Sequence, residues 1–95
     1  MKIKKEIIDV QVNARFTIVL DENLTTGYKW HPVFDNTRLI LVGDDYMPKA
    51  PMCTGSGGIR KFTFRSLQPG NHALKLEYKR EWEKRAIQIK EYLIR

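Results

Sequence analysis

Ninety-five residues, one cysteine and a net charge of +6 set the first limits. A chain of this length makes one domain that buries roughly 65% of its unfolded surface, enough for a single core and too little for a deep enclosed active site. Cys53 alone permits no intrachain disulfide, which excludes the disulfide-dense class of small secreted domains and leaves the redox compartment open.

Period-two alternation then organises the chain. A first strand is expected between about Ile3 and Val12. In the next run Phe16, Ile18 and Leu20 point one way while Arg15, Thr17 and Val19 point the other, the signature of a strand with one buried and one wet face. After the segment Asn23 to Tyr28, a third strand spans Tyr28 to Phe34, with Trp30 as a core residue, and Asp35-Asn36 turns the chain into a fourth at Arg38 to Val42. Gly43 to Gly58, containing Pro48 and Pro51, is the longest non-periodic stretch and reads as a long loop of the kind that often carries function.

Alternation resumes with Phe62 and Phe64 against Lys61, Thr63 and Arg65, and again with Leu74, Leu76 and Tyr78 against Lys75, Glu77 and Lys79. Between these runs Gln68-Pro69-Gly70-Asn71 is a tight reversal in which proline sets φ and glycine accepts a positive one. The last segment, Arg85 to Arg95, reads as a strand with Ile87 and Ile89 on one face and Gln88 and Lys90 on the other. No 3.6-residue apolar period persists. About seven short strands predict an all-β, immunoglobulin-like antiparallel sandwich over a single domain, residues 1–95. A five-stranded barrel is the alternative.

Three loops stand out from this plain scaffold. In Asn23-Leu24-Thr25-Thr26-Gly27-Tyr28 the asparagine side chain can bond backbone amides within the turn, and Gly27 permits a positive φ. Tyr28 is expected to open the next strand with its ring inward. Gly55-Ser56-Gly57-Gly58 leaves backbone groups uncovered, so an extended partner strand can pair with it. It is no phosphate cradle, because that motif needs a glycine-lysine step opening a helix, and Ile59 to Phe64 is a strand. Arg80-Glu81-Trp82 places a tryptophan on a polar tip, and Trp and Arg are the residues most enriched at binding hot spots.

Taken together, in this order and spacing, the loops resemble those of the chagasin-type inhibitors of papain-like cysteine proteases, which carry NPTTGY-like, GxGG and RPW-like loops. The resemblance extends from about Ile7 to Leu93 and includes Phe62-Thr63-Phe64 and the strand Leu74 to Arg80. It implies an immunoglobulin-like domain whose three loops form one wedge for a protease cleft. The segment Asn23, Leu24, Thr25, Thr26, Gly27, Tyr28 would cover the catalytic cysteine. Gly55, Ser56, Gly57, Gly58 and Arg80, Glu81, Trp82 would grip the two sides. Inhibition would be reversible and noncovalent, by a monomer whose partner is a papain-like cysteine protease.

Two positions depart from that pattern: Leu24 and Glu81 stand where the family has proline. Proline pre-sets φ and lowers unfolded-state entropy, worth roughly 0.4–1 kcal/mol per site, so both loops are expected to be less pre-organised. Leu24 also opens an N-glycosylation sequon, Asn23-Leu24-Thr25.

Other chemistry finds little support. A catalytic cysteine needs a base, and neither His31 nor His72 forms a local signature with Cys53. One cysteine and two isolated histidines lack metal-ligand spacing, and no cofactor motif is present, so no cofactor and no enzyme activity are expected. Lysines and arginines are interspersed with Glu6, Asp9, Glu77, Glu81, Glu83 and Glu91 and read as solvated strand faces. A basic β-domain binding nucleic acid or another polyanion is the alternative function. No stretch approaches the ~20 apolar residues of a membrane span. Met1 to Asp9 lacks the apolar core and cleavage site of a signal peptide, which leaves a cytosolic protein and the mature form of an exported one both open.

Overall fold

The computed structural model describes residues 5–49 and 57–95. Among these the strands, in chain order, are β1 (Lys5–Ile8), β2 (Arg15–Glu22), β3 (Lys29–Phe34), β4 (Leu39–Pro48), β5 (Gly58–Ser66), β6 (His72–Lys79) and β7 (Gln88–Ile94). They form a four-stranded sheet ordered β1-β7-β6-β3 and a three-stranded sheet ordered β2-β5-β4. This is the expected all-β, immunoglobulin-like sandwich. One pairing is not antiparallel: β1 runs parallel to β7. Strands from opposite ends of the chain are free of the hairpin constraint that forces antiparallel neighbours.

The core follows from the alternation. Phe16, Ile18, Leu20, Leu39, Phe62 and Phe64 of the three-stranded sheet pack against Trp30, Leu74, Leu76, Tyr92 and Ile94 of the other. Phe64 stacks on Phe16 at 5.6 Å and meets Phe34 of the opposite sheet edge-on at 5.2 Å, geometries that aromatic quadrupoles favour. Pro32 lies in β3, which pairs with β6 alone; an edge strand is where a residue without an N–H is tolerated. At the far end from the candidate loops, Gly70 takes φ 100° in the reversal between β5 and β6, as its sequence requires.

Three expectations need correction. Gly43 to Pro48 is not loop but the second half of β4, paired with β5 from Gly43↔Thr63 to Pro48↔Gly58. A register shift between Leu41 and Gly43 inserts Val42 as a bulge. The inward phase thereby passes from odd positions (Leu39, Leu41) to even ones (Asp44, Tyr46), and a bulge of this kind erases period two in the sequence. In β7 the buried side chains are Tyr92 and Ile94, whereas Ile87 precedes the strand and is exposed. The register Leu74↔Tyr92 and Leu76↔Lys90 sets that phase, because Leu74 and Leu76 already face the core. β-branching announced a strand there but not its face. Finally, β1 is shorter than the run Ile3 to Val12: it ends at Ile8, and Ile3 lies outside the described residues.

Candidate functional site

The β2–β3 and β6–β7 connections lie together at one end of the sandwich with Lys49 and Gly57, the described ends of the β4–β5 connection, and short polar residues dictate the shape of the first. Asn23 caps a 3-10 turn, Leu24–Thr26, from an extended conformation (φ −115°, ψ 103°). Its Oδ1 accepts the Thr25 N–H at 3.0 Å and the Thr25 hydroxyl at 2.6 Å, while the Thr26 hydroxyl donates to the Asn23 carbonyl at 2.8 Å. Gly27, at φ 81°, closes the turn by donating its N–H to the Leu24 carbonyl at 3.1 Å, a left-handed cap that glycine accepts without strain. β3 starts at Lys29 rather than Tyr28. The Tyr28 ring does not join the core; it lies half-buried against Tyr78 at 5.5 Å.

The β6–β7 connection, residues 80–87, opens with a four-residue turn, Arg80–Glu83. Glu83 donates its N–H to the Arg80 carbonyl at 3.1 Å, and its carboxylate accepts the Arg80 N–H at 2.9 Å. Glu81 and Trp82 therefore occupy the two central positions, with Trp82 77% exposed. Its indole has left the core altogether. Arg80 turns the other way: its guanidinium lies 4.4 Å over the Tyr28 ring, and Nε donates to the Thr26 carbonyl at 3.2 Å. Tyr28 rests on Tyr78, Tyr78 rests on Trp30 at 4.6 Å, and the Tyr78 hydroxyl accepts the Asn23 N–H at 3.4 Å. A ladder of planar groups thus runs from the core through β6 to both loop tips.

Of the glycine loop, Gly55 and Ser56 lie outside the described residues, as does Cys53. Gly57 takes φ 79°, and a Cβ there would stand 3.5 Å from the Glu22 carbonyl and 3.6 Å from the Asn23 Cβ. Gly58 admits no side chain, since a Cβ would meet the Met47 carbonyl and the Tyr46 hydroxyl at 2.5 Å. Gly57 thus lets the start of β5 close against the β2–β3 loop, and Gly58 lets it close against the end of β4. The structure brings together Asn23 to Tyr28, Gly57, Gly58 and Arg80 to Trp82.

Beneath the loops sits a group that the sequence reading missed. Glu22 continues the inward phase of Phe16, Ile18 and Leu20, and its carboxylate is wholly buried. Oε1 accepts Arg60 Nη2 at 2.6 Å and Nε at 3.0 Å, and Oε2 accepts the Trp30 N–H at 2.9 Å. Arg60 also reaches Asp44 at 2.8 Å and lies over the Tyr46 ring at 5.2 Å. Burial opposes the Arg60 charge, yet these two carboxylates hold its guanidinium above the ordinary arginine range. The pair ties β2, β3, β4 and β5 at the root of two loops. The available signal was a glutamate in an inward register, with Arg60 in the inward phase of β5.

Among the described residues no group of three or more His, Cys, Asp or Glu side chains is placed to hold a metal ion. His72 is structural, with Nε2 2.6 Å from the Gln68 carbonyl and Nδ1 3.4 Å from Arg38. No helix among the described residues is long and apolar enough to cross a membrane.

The chain is similar in sequence and fold to known proteins. A sequence model of the family described as chagasin family peptidase inhibitor I42 matches residues 9–95. Chagasin of Trypanosoma cruzi is 30% identical over 80 residues, which cover 79% of this chain and 73% of chagasin. The crystal structure of the cysteine protease inhibitor EhICP2 from Entamoeba histolytica superposes with a TM-score of 0.84 at 26% identity, covering 95% of this chain and 85% of that one. Leishmania mexicana ICP gives a TM-score of 0.67 at 27% identity, covering 99% and 87%.

Proposed function

The chain belongs to the chagasin family of peptidase inhibitors, and from that premise we propose that it is a reversible, noncovalent inhibitor of papain-like cysteine proteases. The family consists of inhibitors, not enzymes. One observation carries the reading for this chain: the β2–β3 and β6–β7 loops are joined by Arg80 to Thr26 and Tyr28, and Gly57 closes against Asn23 beside them. Residues 1–95 act as one inhibitor domain. Asn23, Leu24, Thr25, Thr26, Gly27 and Tyr28 lie over the protease nucleophile, with Gly55, Ser56, Gly57 and Gly58 on one side and Arg80, Glu81 and Trp82 on the other.

Occlusion follows from the chemistry of the central loop. The carbonyls of Asn23, Leu24 and Thr26 accept hydrogen bonds within the protein, and no side chain of this loop is an electrophile. The small residues Gly55 to Gly58 would offer main-chain pairing of the strand-addition type, because no bulky side chain covers their backbone groups. Trp82 supplies the large apolar anchor that interface hot spots favour.

Titration of papain with the purified chain tests the reading. Loss of activity at one-to-one stoichiometry, insensitive to moderate salt, is expected, and mass spectrometry of the complex should return two intact, separable chains. An acyl-enzyme adduct, or a stoichiometric cut within Asn23 to Tyr28, would refute occlusion. Undiminished protease activity, with salt-steep binding to oligonucleotides instead, would favour a polyanion-binding domain.

A further inference from the structure

On the outer face of the three-stranded sheet, Arg15 of β2 stands directly opposite Arg65 of β5, and Thr17 stands opposite Thr63 two residues along. Cross-strand neighbours on one face are about 5 Å apart, so two like charges there repel. Among the described residues neither guanidinium has a carboxylate or hydrogen-bond partner, and Nε of Arg65 is enclosed with no acceptor. Ile40 completes the row on β4 without adding charge, and Asp45 stands further along, opposite Lys61. Gly43 borders Thr63: a Cβ there would lie 3.3 Å from the Thr63 Cβ, 3.4 Å from its hydroxyl and 3.9 Å from Asp45 Oδ2, so glycine leaves that hydroxyl open. The Asp45 carboxylate borders this end of the row and favours an anion at the Arg15–Arg65 end.

The geometry points to a binding site for a sulfate or phosphate group, held by the guanidinium groups of Arg15 and Arg65 and the hydroxyls of Thr17 and Thr63. Guanidinium forks match the oxygens of a tetrahedral anion, and such charge-assisted bonds are among the strong ones. A dianion balances both arginines at once, whereas a carboxylate balances only one. All four side chains can donate, which suits a ligand whose oxygens only accept. β2 rises about 3.3 Å per residue, which puts Arg15 roughly 23 Å from the loop end of the strand. The site therefore stays open while the loops engage a protease.

Thermal unfolding provides the test, with sodium sulfate and sodium phosphate titrated separately against sodium chloride at matched ionic strength. Excluded anions of this type raise every melting temperature, so the informative quantity is the difference between variants. Wild type should show an additional saturable rise that Arg15→Gln/Arg65→Gln loses, with affinity reduced at least tenfold. A charge-matched control on the other sheet, Lys75→Gln/Lys79→Gln, should keep the rise. The anion giving the tighter saturation assigns the group. With neither anion present and at low salt, the double arginine variant should melt above wild type, because the repulsion is gone. Papain inhibition should be the same in all three proteins. Equal anion responses in wild type and the arginine variant, or an equal loss in the lysine control, would overturn the site.

Discussion

Proline at positions 24 and 81 should stabilise this protein or leave it unharmed, and the structure gives the expected size at each. Leu24 is the first residue of the 3-10 turn, and Asn23 before it is extended at ψ 103°. That is the conformation required of a residue preceding proline, and the first helical position needs no N–H of its own. The entropic gain is about 0.4–1 kcal/mol. Against it stands part of the leucine side chain, which is 40% exposed. Losing one partly buried methylene costs about 0.5 kcal/mol on a scale of ~0.8 for full burial. Leu24→Pro should therefore fall between neutral and about 0.5 kcal/mol stabilising. Glu81 is the first central residue of the Arg80–Glu83 turn, the position proline prefers, and it is exposed. Glu81→Pro should gain the full ~0.4–1 kcal/mol. For a domain of this size 1 kcal/mol corresponds to about 4–8 °C in Tm. Thermal unfolding and papain inhibition constants, measured side by side, check both variants. The order of magnitude should appear in binding too, because a loop already in its bound shape has less freedom to lose. Destabilisation of more than about 1 kcal/mol by Leu24→Pro would mean that the Asn23–Leu24 backbone or its N–H is used in a way this geometry does not contain.

Trp82→Ala should weaken protease binding by about 2 kcal/mol or more while leaving urea unfolding within about 0.5 kcal/mol of wild type, as exposed sites do; a variant that unfolds easily would place the indole in the core. Glu22→Gln leaves the Arg60 guanidinium facing an amide in a buried site, a class of change that costs about 3–5 kcal/mol; Asp44 remains to Arg60, so urea denaturation should show the lower end. The buried Tyr92 phenol is pushed up to about 12, chiefly by desolvation and secondarily by Glu6. The neutral ring is favoured in the fold, so stability is complete below pH ~10 and falls as pH rises from there through about 12; Tyr92→Phe should flatten that alkaline limb in pH-dependent denaturation. Expression through a eukaryotic secretory pathway should glycosylate Asn23 and abolish most inhibition, restored by enzymatic deglycosylation; full inhibition by the glycosylated form would mean that the Asn23–Tyr28 loop stays outside the cleft.

How much of this was legible in the sequence depended on whether a feature is local. β2 and β5 read directly from alternation because each keeps one phase along its length, and the Gln68–Asn71 reversal read from its proline and glycine. β4 failed because a single bulged residue, Val42, shifts the phase midway and makes Gly43 to Pro48 look aperiodic. β7 was found but turned over, because its face is set by pairing with β6 and not by its own composition. The loops were located by short motifs, yet the opposed directions of Arg80 and Trp82 were not. Two residues apart on one tip, they part because one has Tyr28 and Thr26 within reach and the other has nothing to cover it. Glu22 was missed because an inward carboxylate becomes intelligible only once Arg60 and the Trp30 N–H are seen beside it.

The two missing prolines bear differently on the loops once these contacts are known. Proline restricts a loop by narrowing the conformations of the unfolded chain. Here the restriction comes from the folded state: an asparagine-capped turn, a glycine cap, a glutamate that holds both ends of its own turn, and an arginine that binds one loop to the other. Those contacts rest on Tyr78, Trp30 and the Glu22–Arg60 pair, all of which belong to the sandwich itself. Loop order and core stability are therefore coupled in this protein. A local proline would act on one loop alone. Damage at Glu22 or Tyr78, neither of which is among the residues placed against the protease, should weaken inhibition by loosening two loops together, and the proline variants should recover only part of that loss.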